Sequence, residues 1–440
     1  MITIGKVFSL YLPFRSKHLR KIQQLLNKYN LYKPDTMSHA SSAPQYTIRD
    51  NIRHVEPYYQ TITTTAKTRW LKRTVLDVLA SEFRSVDAAE YKKRMENEEI
   101  SVIHQIKLTK KQRKEMKANG SYTKESNKRK IVYPEILTHK LADNDVIQRT
   151  EHIHERDVIG VHREDIEVIQ EDDDILVVNK PSGIPIHPVQ NYFYNSFAKV
   201  LELDGWPGRD PQREVQLRPC YRLDKLTSGV CILAKSSEVA SKIQTDIQNR
   251  NVEKVYLARV RGKFPGYESL REDPKATLGP VVDCNDDVII IDTKKGKKDG
   301  IMRKSAETLF QCVRYNADLD ESIVMCFPKT GRTHQIRIHL RNLAHPIVND
   351  PLYGKGQIMA SRVIEDFQTL TDDYFHQVEQ EAARKRMDLE SETECSICDA
   401  KLYIQDKASS MVMYLHAFKY NLKGESGWCF ETKWPDWADI

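Results

Sequence analysis

Apolar residues recur at helical spacing in the first third of the chain and at strand spacing after it. One predicted helix has a stripe of apolar positions three or four residues apart, namely Leu71, Val75, Val78, Leu79 and Phe83. A second predicted helix covers residues 88–98, and a short strand is predicted at 100–103. This pattern is typical of a small RNA-grasping module, and it fits an ordinary helical subdomain equally well.

From about residue 165 the pattern changes to short apolar runs separated by turns. Residues 175–180 predict a strand that ends at the turn Pro181-Ser-Gly183. Ser236 is placed to cap a helix, and residues 253–261 alternate between two faces of a strand. We therefore predict an α+β fold with a mixed, largely antiparallel sheet flanked by helices.

Composition divides the chain into three predicted regions. Residues 1–60 are predicted to be a poorly structured leader, 61–164 a small N-terminal α/β module of RNA-binding character, and 165–436 one large domain. Within the module, residues 107–130 carry ten Lys or Arg against two Glu. This basic loop could neutralise RNA phosphates or simply be solvated. The polar, partly acidic residues 355–400 predict an insertion on the surface.

The leader bears on localisation. The first 34 residues contain seven Lys or Arg and no acidic residue, which resembles a mitochondrial presequence. Serine and arginine are not enriched there, and Met37 could be an alternative start. The leader therefore points to the mitochondrion, with a cytoplasmic or nuclear location as the alternative.

Composition alone excludes few functions. The net charge of +6 favours anionic partners only slightly. No run of about 18 apolar residues occurs, so we predict no membrane-spanning segment. The sequence contains no glycine-rich nucleotide-binding motif, and nothing in it predicts a nucleotide cofactor.

Two pairs of residues could suggest a metal. Cys395-Ser-Ile-Cys398 would need two further ligands to hold zinc, so ordinary thiols are the default interpretation and zinc stays open. His334 and His339 are five positions apart and do not share one face of a helix. We predict no metal at the histidine pair.

Three clusters carry candidate chemistry. They are Tyr221-Arg-Leu-Asp-Lys-Leu-Thr-Ser-Gly229, Lys254-Val-Tyr256 and Thr330-Gly-Arg-Thr-His-Gln-Ile-Arg-Ile-His-Leu340. Asp224 lies between two cationic residues, so its carboxylate is expected to stay ionised, with Arg337 as a plausible partner. From the residues alone, a structural ion pair explains Asp224 as well as a catalytic role does.

Together the clusters resemble the motifs of the RluA-type pseudouridine synthases, the first of which reads His-Arg-Leu-Asp-Arg/Lys-x-Thr-Ser-Gly. They occur in the family's order, and the resemblance extends over about residues 165–436. It implies the pseudouridine synthase fold and a reaction without cofactor, in which uracil is detached at N1, rotated and rejoined through C5. Two positions depart from the pattern, since Tyr221 replaces His and Lys225 stands where Arg is frequent.

The resemblance also implies a role for each matching residue. Asp224 is the catalytic carboxylate, which attacks the sugar C1′ or assists its deprotonation. Tyr256 stacks on the flipped uracil and takes part in proton transfer, and Arg337 pairs with Asp224. Arg222 enters the space that the extruded base has left. The remaining predicted substrate-binding residues are Arg332, His334 and Ile336.

Further stretches resemble the eukaryotic members of this family, among them Val55-Glu-Pro-Tyr-Tyr59 and Leu141-Ala-Asp-Asn-Asp145. That branch typically modifies an anticodon-loop uridine of tRNA, so we expect tRNA as the partner of a monomeric enzyme, with no membrane and no small-molecule cofactor. Two alternatives remain, a ribosomal-RNA pseudouridine synthase and a catalytically inactive RNA-binding protein. The joint presence of Asp224, Tyr256 and Arg337 argues against the latter.

Overall fold

The computed structural model shows the chain as two compact units. Among the described residues, the large unit contains 2–3, 46–56 and those between 155 and 440, and the small unit contains 43–45 and those between 57 and 154. The structure describes residues 2–3, 43–83, 87–106, 108–119, 123, 127–189, 191–210, 212–272, 278–286, 288–291, 301–354, 390–405, 407–424 and 427–440.

Three predicted features fall partly outside these residues. They are the leader at residues 1 and 4–42, the basic loop at 107, 120–122 and 124–126, and the insertion at 355–389. Within the segments that are described, no helix is both long and apolar enough to cross a membrane.

Strands dominate the large unit. Numbered in chain order, they are β1 (Ile2–Thr3), β2 (Tyr46–Arg49), β3 (Ile52–Val55), β8 (Val158–Ile159), β9 (Val168–Glu171), β10 (Ile175–Lys180), β11 (Arg218–Pro219), β12 (Ser228–Ala234), β13 (Val252–Arg261), β14 (Val282–Cys284), β15 (Val288–Ile291), β16 (Ile301–Lys304), β17 (Thr308–Asn316), β18 (Glu321–Pro328), β19 (Glu390–Glu394), β20 (Lys401–Tyr403), β21 (Leu415–Leu422) and β22 (Trp428–Glu431). Its α-helices are α4 (Phe197–Asp204), α5 (Ser237–Gln248), α6 (Tyr267–Glu272) and α7 (Gln335–Asn342). Short 3-10 turns lie at Arg163–Asp165, Ala408–Met411 and Asp436–Ala438.

A ten-stranded sheet forms the centre of the large unit. Its main path runs β14-β17-β18-β13-β21-β12-β10-β9, with β11 added beside β12 and β22 beside β21. Every pair in this sheet is antiparallel except β12 with β21, which run parallel. The predicted α+β fold with a mixed, largely antiparallel sheet is therefore confirmed.

Helices cover the sheet at β10 because that strand is apolar on both faces. Leu176 and Val178 pack in the cluster that contains Phe197 of α4. Val177 packs in a second cluster with Ile243 of α5. Successive side chains of a strand point to opposite faces, so a continuous apolar run fits a strand that is buried on both sides. The predicted cap of α5 is also present, since the backbone amide of Val239 donates to Ser236 Oγ at 3.2 Å.

The small unit packs helices against a four-stranded antiparallel sheet of order β4-β7-β5-β6. Its elements are β4 (Tyr58–Thr65), α1 (Val75–Glu82), α2 (Ala88–Glu96), β5 (Ile100–Gln105), α3 (Lys110–Ala118), β6 (Lys128–Ile131) and β7 (Val146–Ile153), with 3-10 turns at Thr68–Trp70 and Glu135–Leu137. Thr74 and Asp87 cap α1 and α2 by accepting backbone amides, which satisfies donors that the first helical turn leaves unpaired. Both predicted helices and the predicted strand at 100–103 are present.

Two segments have more regular structure than the sequence predicts. Strands β2 and β3 form a hairpin inside the predicted leader, and β3 also pairs with β8. Ile52 and Val55 are its buried apolar positions, too few to show a period in the sequence. The predicted basic loop contains α3, whose Lys, Gln, Arg, Glu and Met residues are good helix formers despite their polarity.

Candidate active site

Three elements of the large unit carry Asp224, Tyr256 and Arg337. Asp224 lies in the loop that leads into β12, Tyr256 lies on β13, and Arg337 lies in the first turn of α7. In the sheet, β21 is hydrogen-bonded to β12 on one side and to β13 on the other. Rigid elements therefore hold the three motifs.

Arg337 connects two carboxylates. Its Nη1 donates to Asp224 Oδ2 at 2.9 Å, so the predicted pairing is present. Its Nε donates to Asp350 Oδ2 at 2.7 Å, and its Nη2 donates to Asp350 Oδ1 at 2.9 Å. The Asp350 side chain has 0% exposure and Asp224 has 30%. The guanidinium is therefore fixed at its buried end and offers one donor to the carboxylate at the open end.

Charge controls the protonation of the pair. Burial by itself would raise the pKa of Asp224. His334, which is protonated only in acid, and the guanidinium of Arg337 outweigh burial, and the pKa lies below its ordinary value. The pKa of Asp350 is lowered in the same way, mainly by its hydrogen bonds and ion pair with Arg337 acting against burial. At neutral pH both carboxylates are ionised.

His334 lies against the same carboxylate. The backbone at His334 is left-handed, with φ 55°, a conformation that residues other than glycine rarely adopt. Its Nε2 lies 3.6 Å from Asp224 Oδ2, and its Nδ1 is 3.1 Å from the hydroxyl of Tyr353. Burial lowers the pKa of His334 to about 4, so the imidazole is neutral at neutral pH. A neutral ring can act here as a hydrogen-bonding group, not as a second cation.

Tyr256 belongs to a cluster of three tyrosines. Its hydroxyl is 2.6 Å from that of Tyr420 on β21, and Tyr420 stacks on Tyr221 with ring centroids 4.7 Å apart. The pairing of β13 with β21 shifts register between Val255 and Tyr256, and such a bulge re-aims side chains at functional sites. Burial raises the pKa of Tyr256 to about 12, and the negative charge of Asp224 adds to the increase. Tyr256 is therefore a neutral phenol within electrostatic range of Asp224.

The turn after β10 holds the loop that carries Asp224. Lys180 Nζ donates to the carbonyl of Lys225 at 3.3 Å, and the backbone amide of Gly183 donates to the same oxygen at 2.9 Å. Ser182 Oγ donates to the carbonyl of Leu226. Lys180 also donates to the carbonyls of Pro181 and Ile184, and its burial lowers its pKa to about 7. The position of Asp224 thus depends on a fully buried cation.

Gly229 allows β12 to approach β21. Its φ is 115°, and a Cβ at this position would lie 2.2 Å from the carbonyl oxygen of Ala417. Any side chain would therefore clash with the backbone of β21. The glycine that ends the first motif is therefore required by the close packing of β12 against β21, next to the loop that carries Asp224.

The other predicted site residues have different surroundings. Arg222 is exposed and, in the described part of the chain, its side chain forms no hydrogen bond, although its charge contributes to the lowered pKa of Asp224. Arg332 is directed elsewhere, since its Nε donates to the carbonyl of Ser305 at 3.0 Å. Ile336 is only 7% exposed and packs in a core cluster against which Tyr256 lies. The structure therefore brings His334 to Asp224, but it does not place Arg332 or Ile336 in contact with that carboxylate.

His339 also lies away from the site. Its Nε2 is 3.1 Å from the carbonyl oxygen of Asp286, and its side chain is buried. His334 contacts Asp224 and Tyr353 instead, so the two histidines have separate partners.

Sequence reasoning missed two residues that position the site. Asp350 lies beyond α7, at a position that no local sequence pattern marks. Lys180 ends the strand β10. A charged residue inside an apolar run was the available signal, because a buried charge requires partners.

The arrangement suits covalent or acid-base chemistry. It offers an ionised, partly exposed carboxylate, a fixed guanidinium beside it, and a neutral phenol nearby. A carboxylate can attack an electrophilic carbon or remove a proton, and the guanidinium keeps it ionised for either role.

Known proteins resemble this chain over most of its length. The family model described as RNA pseudouridylate synthase matches residues 174–342. The tRNA pseudouridine(32) synthase, mitochondrial, of Saccharomyces cerevisiae is 31% identical over 419 residues, which cover 91% of this chain and 80% of that protein. The tRNA pseudouridine(31) synthase of the same organism is 32% identical over 424 residues, covering 89% and 96%. The Homo sapiens pseudouridylate synthase RPUSD2 is 34% identical over 310 residues, covering 70% of this chain and 47% of that protein.

Proposed function

The chain belongs to the RNA pseudouridylate synthase family and isomerises uridine to pseudouridine in RNA, and from this premise we propose that its substrate is tRNA and its catalytic carboxylate is Asp224. The observation that carries the proposal is the contact of a partly exposed Asp224 with Arg337, itself fixed by Asp350. The names of two relatives, which specify tRNA positions 32 and 31, support a uridine of the anticodon loop as the target.

We assign each step of the isomerisation to one of these residues. Asp224 attacks C1′ of the uridine or assists deprotonation of the sugar, and the bond from C1′ to N1 breaks. The uracil rotates beside Asp224 and bonds to C1′ through C5. As this bond forms, the bond from C1′ to Asp224 breaks, or the sugar regains the proton that it had lost. The proton on C5 then leaves and N1 gains a proton, so no atom is added or lost. Arg337 keeps Asp224 ionised before it reacts. With a pKa of about 12, Tyr256 serves as a stacking partner and proton donor and not as a resident phenolate base.

Two further features support binding of RNA. Arg222 is exposed beside the Asp224 loop, where its planar guanidinium can replace the stacking of an extruded base. In the small unit, Lys128 and Lys130 are exposed on β6 and can contact phosphates. A relative's name specifies mitochondria, and with the basic leader this supports a mitochondrial location for this chain, which cell fractionation of the full chain tests.

The test of the proposal uses the purified full chain and total tRNA. Pseudouridine is mapped by chemical probing and sequencing, and transcripts in which U31 or U32 is replaced by C identify the target. We expect Asp224→Asn to lower turnover by roughly 10²- to 10⁴-fold or more, because the carboxylate is lost, while RNA affinity stays within a few-fold.

The matched control is Asp173→Asn, the same substitution at an exposed position of the large unit, which should leave turnover unchanged. Undiminished turnover in Asp224→Asn would refute the role of Asp224. Modification of ribosomal RNA with none in tRNA would refute the substrate and leave the chemistry intact. Light scattering on the same preparation tests the predicted monomer.

A further inference from the structure

A short hairpin in the large unit places two cysteines at its turn. Strands β19 and β20 are antiparallel, and Cys395-Ser-Ile-Cys398-Asp-Ala400 connects them. The backbone amide of Cys395 donates to the carbonyl of Ala400 at 2.9 Å, and the amide of Asp399 donates to the carbonyl of Cys395 at 2.9 Å. The cysteine spacing is thus part of a closed, hydrogen-bonded turn.

The turn surrounds sulfur with backbone donors. The amide of Ile397 donates to Cys395 Sγ at 3.4 Å, a hydrogen bond that stabilises a negatively charged sulfur. Asp399, directly after the second cysteine, has a left-handed backbone with φ 55°. The two sulfur atoms lie within 4.8 Å of each other. Two sulfurs on one tetrahedral zinc are about 3.8 Å apart, since the zinc–sulfur bond is about 2.3 Å.

From this geometry we propose that Cys395 and Cys398 are two ligands of a structural Zn²⁺ ion. A redox pair is the competing use of a Cys-x-x-Cys motif, but such motifs typically stand where a strand enters a helix. Here the element that follows the cysteines is the strand β20, and the turn resembles half of a zinc site. Both side chains are half-buried, as expected for ligands near a surface.

The remaining ligands are nitrogens. A structural zinc site has four protein ligands, drawn from cysteine, histidine and carboxylate. Five cysteines are buried in the apolar interior of the large unit and could bind this zinc ion only if that unit unfolded. They are Cys220, Cys231, Cys284, Cys312 and Cys326. Cys429 is one thiol on β22, too few for a second pair. Because structural zinc sites with two thiolates are typically completed by two histidines, we assign the remaining two ligands to histidines of the chain, which has fourteen.

Metal content of the full chain, purified without a polyhistidine tag or chelator, tests the proposal. We expect about one zinc per chain by mass spectrometry, and at least a tenfold loss in the double variant Cys395→Ser/Cys398→Ser. Cys429→Ser is the matched control, because it removes an exposed thiol elsewhere in the same unit and should retain the zinc. Zinc below about one tenth of an equivalent in the unaltered protein, or undiminished zinc in the double variant, overturns the proposal.

A second measurement decides the question if the double variant does not fold. Replacement of zinc by Co²⁺ in the unaltered chain should give visible bands of tetrahedral cobalt and a thiolate-to-cobalt charge-transfer band of two-sulfur intensity. A spectrum without thiolate charge transfer overturns the proposal. Single replacement of each histidine by alanine should identify two positions that lose zinc, and a scan that finds none refutes the nitrogen ligands. Neither readout depends on RNA modification, so failure here leaves the proposed function intact.

Discussion

The two ends of Arg337 differ in what surrounds their carboxylates. At the buried end, Asp350 has no exposed surface and accepts two hydrogen bonds from Arg337 and two from the backbone amides of Leu352 and Tyr353. At the open end, Asp224 accepts one hydrogen bond from Arg337 and remains 30% exposed. The same pair of residue types thus forms one enclosed ion pair and one accessible ion pair.

The difference shows what leaves an ionised carboxylate of this protein accessible to a substrate. An acid whose oxygens are all occupied by donors has little capacity left for a substrate, whereas Asp224 keeps an oxygen and part of its surface accessible. Burial at one end of the guanidinium supplies the rigidity, and exposure at the other supplies access. Mutations at the two ends should therefore have opposite profiles in stability and activity.

Apart from the loss of Asp224 itself, the largest effect is expected when Arg337 is replaced. Arg337→Lys cannot bridge both carboxylates with a planar fork, so Asp224 loses its fixed geometry. We expect turnover to fall by at least about 10²-fold, the scale associated with misplacement of a catalytic group by 1 Å. Single-turnover kinetics on tRNA measure this loss. Arg332→Lys, the same change five residues earlier, should cost less than about tenfold, and an equal loss there would contradict the special role of Arg337.

Asp350→Asn should lower the free energy of unfolding more than Asp224→Asn does, and so distinguish the two ends of Arg337. It leaves a buried guanidinium short of one negative charge, and breaking a buried pair costs about 3–5 kcal/mol of unfolding free energy. Asp224→Asn at the partly exposed end should cost about 1 kcal/mol or less, because water can solvate what remains. Urea unfolding of both variants and the unaltered protein provides the comparison. Equal losses would mean that the two ends are energetically equivalent.

Acid should destabilise the large unit in two separate pH ranges. The pKa of a buried His334 is about 4 instead of 6.5, so the folded state binds fewer protons and loses stability as the pH falls from 6.5 to about 4. His187 and His416, also lowered to about 4 by burial, act in the same range. The pKa of Asp224 is lowered below 3.8, so its contribution is present above 3.8 and is lost only at lower pH.

Single substitutions should show which residue accounts for each pH range. His334→Gln should flatten part of the dependence of unfolding free energy on pH between 6.5 and 4, and Asp224→Asn should flatten it only below about 3.8. Urea unfolding at intervals from pH 3 to pH 8 is the measurement. A change above pH 5 in Asp224→Asn would show that Arg337 does not hold that carboxylate ionised.

The smallest effect is expected at Tyr420. Tyr420→Phe removes the hydroxyl partner of Tyr256 and leaves the ring that stacks on Tyr221. We expect a loss of about 1 kcal/mol in unfolding free energy and less than about tenfold in turnover, since one neutral hydrogen bond is lost. Tyr256→Phe removes the same hydrogen bond and the proposed proton donor as well. A larger loss of turnover in Tyr420→Phe than in Tyr256→Phe would argue against that donor.

The sequence allowed the sheet and the central ion pair to be predicted, because their signals are local. An apolar run marks β10, alternation marks β13, and cationic neighbours mark Asp224. The pairing of Arg337 with Asp350 could not be predicted, since it depends on how the chain turns after α7. Hydrogen bonds between side chain and backbone, such as those of Lys180, are likewise set by the tertiary fold.

The predicted substrate residues show the limit of reasoning from a motif. Ile336 and Leu340 are four residues apart on α7 and lie in the same core cluster, so periodicity alone would have assigned Ile336 to the interior. Arg332 precedes the helix, and its direction depends on the carbonyl of Ser305, which no sequence pattern reveals. A motif predicts which segment of the chain lies near the site, whereas tertiary contacts decide where each side chain of that segment points.

The buried amine at the corner after β10 has a practical consequence. Lys180 has no exposed surface, while most lysines of a folded protein can be acylated from solvent. An amine-reactive label therefore reaches this position only when the corner next to the Asp224 loop opens locally. The labelling rate of that single peptide, followed by mass spectrometry, reports how often the loop is released from its anchor.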